Sequence, residues 1–153
     1  MNRLVVSLFL FFVSNTCFAQ GAVTEINKPF GEWLVSCKQN LMTAKNECFI
    51  GTPFQNEKGR GAIVFTKYYL AVAHNDLNLT QGVDFKVDKN NKVSSYMNTG
   101  LNVFFKNADR KNLVDQMSSG SNLDIVIKGF TEVKKPLEGF ADAYKFYIKQ
   151  IEG

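Results

Sequence analysis

Two of the chain's three cysteines, Cys37 and Cys48, stand eleven positions apart on either side of a polar turn, and the only tryptophan, Trp33, lies just ahead of them. This block, Phe30 to Phe49 (F-G-E-W-L-V-S-C-K-Q-N-L-M-T-A-K-N-E-C-F), constrains the fold more than any other stretch. From Glu32 to Lys38 the side chains alternate: Trp33, Val35 and Cys37 fall on one face, Leu34 and Ser36 on the other. That is the period of a half-buried strand. Thr43 to Glu47 reads as a turn, and Cys48 to Thr52 resumes a strand. Eleven positions suit two strands joined by a turn, and closing so short a loop would contribute about 3 kcal/mol through the entropy of the unfolded chain. A redox or nucleophilic thiol pair would want C-x-x-C spacing or a partner histidine, and neither is nearby. A metal centre would want four ligands, and two thiols with the lone His74 fall short. The expectation is a structural disulfide, with Trp33 as a core anchor beside it.

The first residues bear on compartment. Met1-Asn2-Arg3 is a short positive segment, Leu4 to Val13 (L-V-V-S-L-F-L-F-F-V) is apolar, and Cys17-Phe18-Ala19 is a small-x-small site before Gln20. That order is the pattern of a secretory signal peptide, residues 1–19, cut before Gln20. The apolar run is shorter than the roughly 20 residues a bilayer span needs. Lipidation at Cys17 is the alternative, but Ser14-Asn15-Thr16 lacks the leucine and small residues of a lipoprotein site. No later stretch is long and apolar enough for a second span. Export to an oxidising compartment, periplasmic or secreted and surface-associated, agrees with a disulfide between the two remaining cysteines.

Without Arg3 the formal net charge falls from +4 to +3. The lysines are scattered, with only Lys134 and Lys135 adjacent, and the remaining arginines are Arg60 and Arg110. A nucleic-acid groove would cluster basic residues with interleaved aromatics, so nucleic acid is not an expected partner.

Residues 20–153 read as one mainly β domain, β-sandwich-like, with one or two short helices. Gln55 to Gly61 (Q-N-E-K-G-R-G) reads as a loop. Ala62 to Ala73, β-branched and aromatic-rich, reads as one central strand. Gly82 to Val87, the turn Asp88-Lys89-Asn90-Asn91 and Lys92 to Met97 form a hairpin. Leu101 to Lys106 and Asn122 to Lys128 add two strands. Asn107 is positioned to cap a helix over Ala108 to Met117, ended by Ser118-Ser119-Gly120. Near the C-terminus, Phe140, Ala143, Tyr144, Tyr147, Ile148 and Ile151 form the apolar stripe of an amphipathic helix. Its opposite face mixes Asp142 with Lys145 rather than clustering lysines, so packing on the sheet is expected over membrane binding.

Catalytic constellations are thin, and no catalytic, cofactor-binding or metal residues are expected. His74 sits at a strand end without an activated serine. The serines lie in polar loops without a G-x-S-x-G turn. Asp84 and Asp88 are spaced for one face of a strand, as paired carboxylates or as a solvated hairpin. Asp88 to Asn91 lacks the later ligands of a calcium loop. Gly59-x-Gly61 is followed by a strand pattern rather than the helix a phosphate loop needs.

Three stretches in order carry a family resemblance. F-G-E-W-L-V-S-C (Phe30 to Cys37) followed by Cys48 resembles the N-terminal signature of the bacterial invasion-associated locus B family. G-V-D-F-K-V-D (Gly82 to Asp88) resembles its central stretch, and L-E-G-F-A-D-A (Leu137 to Ala143) its C-terminal ending. The family usually carries a second cysteine pair in its later half, and none follows Cys48 here. The resemblance implies a periplasmic or surface-associated β-sandwich without a catalytic site, linked to attachment to or entry into host cells. The expected function is therefore that of an exported, non-catalytic interaction protein with a partner in the envelope or on a host cell. The alternative is a periplasmic assembly or inhibitor module that binds an envelope protein through a sheet edge or the C-terminal helix. A small-molecule carrier with an aromatic pocket around Phe65, Tyr68 and Tyr69 is a third class.

Overall fold

Alternation of buried and exposed side chains runs through most strands of the computed structural model, which describes residues 25–152. The expected leader and Cys17 lie outside those residues. The strands form two antiparallel sheets. The larger contains, in spatial order, β1 (Glu25–Phe30), β2 (Trp33–Gln39), β3 (Asn46–Asn56), β4 (Gly59–Phe65), β5 (Tyr69–His74) and β8 (Asn102–Lys106). The smaller runs β10 (Thr131–Pro136), β9 (Asn122–Ile127), β6 (Val83–Val87) and β7 (Val93–Ser95). Helix α1 (Asn107–Ser119) links β8 to β9, and α2 (Phe140–Glu152) follows β10. The domain is β-sandwich-like, mainly β, with the expected C-terminal helix.

The larger sheet turns one face inward. Trp33, Val35 and Cys37 of β2, Ile50 and Phe54 of β3, Ile63 and Phe65 of β4, Leu70 and Val72 of β5, and Val103 and Phe105 of β8 are all buried. The smaller sheet covers part of that face: Phe85 of β6 packs on Phe105 with ring centroids 4.9 Å apart. The helices cover the rest. Phe140, Ala143 and Tyr147 of α2 are buried over β1 to β3, with Tyr144, Ile148 and Ile151 half-buried against the same core. The apolar stripe of α2 is thus a packing face.

Three expectations are corrected. Gln55 to Gly61 is not a loop: β3 continues to Asn56 and β4 starts at Gly59, so only Glu57 and Lys58 turn the chain. Backbone pairing, not burial, makes these residues strand. Ala62 to Ala73 is not one strand, because the chain reverses at Thr66–Tyr68 and its halves pair antiparallel as β4 and β5. Asn107 does not cap α1; it adopts φ +52°, and Lys106 at the cap position makes no side-chain capping bond. Strands β1 and β10 had no expectation at all. They are edge strands, with Lys28 and Pro29 on one and Lys134, Lys135 and Pro136 on the other. Lysine and proline on an edge blunt strand addition by neighbouring chains.

Candidate functional site

The Phe30 to Phe49 block is a pair of hairpins. Gly31 and Glu32 turn β1 into β2, with Phe30 opposite Trp33. Cys37 and Cys48 are direct cross-strand partners on β2 and β3 and are disulfide-bonded, with Cα atoms 4.0 Å apart. Trp33 is fully buried, its ring edge-on to Phe140 at 4.9 Å and to Phe65 at 6.2 Å, and its Nε1 donates to the Pro136 carbonyl at 3.3 Å. Gly31 and Gly139 let the two ends of the chain meet. Both have positive φ, +60° and +84°. A Cβ on Gly139 would stand 2.4 Å from the Phe30 carbonyl oxygen, and one on Gly31 would stand 2.9 Å from that of Glu138. Only glycine permits this backbone-to-backbone contact. The first and third motif stretches of the sequence therefore form one structural joint, and Lys135 adds an ion pair to Glu32.

The polar residues singled out in the sequence lie in separate places with structural partners. His74 is buried at the end of β5, where its Nδ1 accepts the amides of Asp76 and Leu77, both at 3.1 Å. Burial pushes its pKa below the usual 6.5, against the opposing charge of Asp76. Asp84 is not part of a solvated hairpin. It is buried on β6, with Lys92 donating to Oδ2 at 3.1 Å and the Lys128 ammonium 3.0 Å from Oδ1. Burial raises its pKa, but bonds from Ser94, Lys128 and Lys92 outweigh that and hold it below the usual value. Asp88 does not pair with it. Its carboxylate accepts the amides of Ser121 (2.8 Å) and Asn122 (3.0 Å), tying the hairpin turn to β9, and those bonds lower its pKa. Among the described residues, no three His, Cys, Asp or Glu side chains gather as a metal site would require.

Two features remain for recognition. The first is the outer face of the larger sheet. Pro29, Leu34, Gly51, Val64, Ala71 and Phe104 are consecutive cross-strand partners, so one apolar row crosses all six strands. Pro53, Ala62 and Ala73 form a shorter parallel row. Leu34 and Phe49 are 38% and 40% exposed; of the row, Pro29 is exposed too, Gly51, Val64 and Phe104 are half-buried, and Ala71 is buried. Beside Phe104, whose amide donates to the Met97 carbonyl, Met97 is half exposed.

The second is a cleft of about 370 Å3 where the start of β3, the Thr66–Tyr69 turn and the last turns of α2 converge. Lys45, Cys48, Lys67, Tyr68, Tyr147 and Ile151 are among its walls. The proposed aromatic carrier site is partly corrected here: Tyr68 and Tyr69 line the cleft, but Phe65 is fully buried between Trp33 and Phe140. Sequence reading missed Tyr147 as a cleft residue because its place on the α2 stripe accounted for it as core.

The protein is thus a β-sandwich-like domain, closed over part of its core by two helices, with a disulfide-braced N-terminal hairpin. No family profile, curated protein or solved structure matches the chain. Among the described residues no helix is long and apolar enough to cross a membrane.

Proposed function

We propose that this protein is an exported, non-catalytic binding domain of the invasion-associated locus B type, docking a protein of the cell envelope or of a host cell on the outer face of its larger sheet. The observation that carries this reading is the apolar row from Pro29 to Phe104. A sheet face normally turns apolar because something packs on it, and the inner face already supplies the core. Large uncovered apolar patches mark interaction surfaces. The leader-like N-terminus and the disulfide agree with an oxidising compartment. The joint of Gly31 with Gly139 gives two of the three family-like stretches a shared structural reason.

The alternative, a module that binds through a sheet edge or the C-terminal helix, has less in its favour. Lysine and proline guard the β1 and β10 edges, and the apolar stripe of α2 is spent on the core.

The test is a capture experiment from envelope and host-membrane extracts with the oxidised protein, in parallel with a Leu34→Thr/Phe49→Thr variant. Threonine keeps strand preference while removing apolar area. A partner held by the parent and lost by the variant supports the reading, and its source says whether it is envelope or host. Equal capture by both proteins rules out the outer face. Cell fractionation tests export separately: a protein found only in the cytosol would overturn it.

A further inference from the structure

The cleft at the end of α2 has a chemistry of its own, independent of the outer sheet face. Tyr147 is fully buried, yet its O–H proton has no acceptor among the described residues. Buried hydroxyls in folded proteins nearly always have one, so an orphan on a cleft wall calls for an explanation. Burial pushes its pKa up to about 12, against the nearby Arg110 guanidinium, which can donate to the hydroxyl oxygen but cannot accept its proton, so the group stays a neutral O–H donor.

The surroundings say what that donor can meet. Arg110, reaching from α1, donates through Nε (3.1 Å) and Nη2 (2.7 Å) to the Thr66 carbonyl and so pins the turn that forms one wall. The other polar groups of the lining are already engaged: Thr66 Oγ1 accepts the Tyr68 and Tyr69 amides, Asn46 Nδ2 donates to the Gln150 carbonyl, and Glu47 accepts from Asn40. Lys45 and Lys67 form no ion pair among the described residues. Lys45 and Lys67 outnumber the one carboxylate of the lining, Glu47, so with the tyrosine hydroxyls the cleft offers donors and a net positive charge beside the apolar surfaces of Tyr68 and Ile151. The volume falls within the range of small-molecule sites, about 300–1,000 Å3.

We propose that this cleft binds an organic carboxylate with an aromatic or branched apolar body, the carboxylate accepting from the Tyr147 hydroxyl and pairing with Lys67 while the body lies against Tyr68 and Ile151. A free small acid and the C-terminal residue of a peptide share this chemistry.

Titration of the oxidised, isotope-labelled protein with 3-phenylpropionate, followed by amide chemical shifts, tests the site. Saturable shifts are expected at Thr66 to Tyr69 and Tyr147 to Ile151. The uncharged 3-phenylpropanol should bind at least roughly tenfold more weakly, as should 3-phenylpropionate to Tyr147→Phe, the fold-change expected on losing a hydrogen bond to a charged group. A tetrapeptide ending in a free Phe carboxylate, set against its amide, separates the two sources. Tighter binding than 3-phenylpropionate, abolished by amidation, identifies a chain terminus; absence of peptide binding beside 3-phenylpropionate binding identifies a free acid. Absence of saturation by any probe at millimolar concentration overturns the proposal, as does equal binding of acid and alcohol or of parent and Tyr147→Phe. Thermal melting gives a second readout. Tyr147→Phe should melt at or above the parent, because its O–H proton has no acceptor to lose. A clearly lower midpoint would show that the hydroxyl bonds within the fold, and the basis of the proposal would go.

Discussion

Both faces of the six-stranded sheet carry apolar rows, but they are built differently, the outer one flanked by polar pairs such as Lys38 with Glu47 and Gln55 with Arg60. The inner face carries large or β-branched residues such as Trp33, Ile50, Ile63, Phe65 and Val103, each fully buried beneath the small sheet or a helix. The outer face mixes small residues, Gly51, Ala62, Ala71 and Ala73, with a few larger ones, Leu34, Phe49, Val64 and Phe104, and nothing described lies over it. Burial drives the first pattern and holds the fold together. The second is not spent on the core, and the proposed docking reading rests on that contrast.

The largest expected difference comes from Trp33. Replacing it by alanine empties the slot between Phe65 and Phe140 and removes the donor to the Pro136 carbonyl. A loss of about 3–5 kcal/mol is expected from denaturant titration. A loss below about 1 kcal/mol would break the comparison, since the inner face would then not be what holds the fold.

Next comes the disulfide, whose cysteines also face inward. Reduction, or Cys37→Ser with Cys48→Ser, should cost about 3 kcal/mol. Mass spectrometry with and without reductant reports the bond directly, and two free thiols in the native protein would refute it.

His74 gives a smaller, pH-dependent effect. Its folded pKa lies below 6.5 because of burial. As pH falls through about 6.5, the unfolded chain takes up a proton that the folded chain resists. The stability it contributes is therefore complete above that pH and lost as pH drops toward the lowered folded value. Melting curves from pH 7.5 to 5.5 should show a decline that flattens in His74→Asn, which keeps an acceptor for the Asp76 and Leu77 amides. An unchanged slope would assign the decline to other groups.

The smallest effect sharpens the other side. Leu34→Thr and Phe49→Thr should each change stability by about 0.5 kcal/mol or less, as surface substitutions usually do. A larger loss in either would mean that the outer face serves the fold after all, and would weaken the docking reading with it.

The same contrast explains what the sequence could reveal. Period-two alternation exposed β2, β6 and β9, where one face is buried and the other mostly polar. It failed over Ala62 to Ala73 because both faces of β4 and β5 are apolar, so reversal at Thr66 to Tyr68 left no break in the pattern except Thr66 and Lys67 themselves. It failed at Gln55 to Gly61 because a hairpin tip needs no buried side chains to be strand. The edge strands β1 and β10 hid behind the lysines and prolines that guard them. The cysteine pair and Trp33 were legible because rare residues in a short block leave few arrangements. The cleft was not legible: three segments distant in sequence build it, and Tyr147 has two roles at one helical position. The glycines of the family-like stretches were visible as letters, but their contact was not.

The partners of Trp33 come late in the chain. Its hydrogen-bond acceptor lies 103 residues further on, at Pro136, and its closest ring contact at Phe140. Strands β1 to β5 each pair with the next, so they can zip up as the polypeptide emerges. The slot around the tryptophan cannot close until the final helix has been made, because contacts so distant in sequence form only after the intervening chain exists. Completion of the fold thus waits for residues more than a hundred positions after the tryptophan. Under the proposed export, such a late keystone keeps the chain pliable until α2 has crossed the membrane.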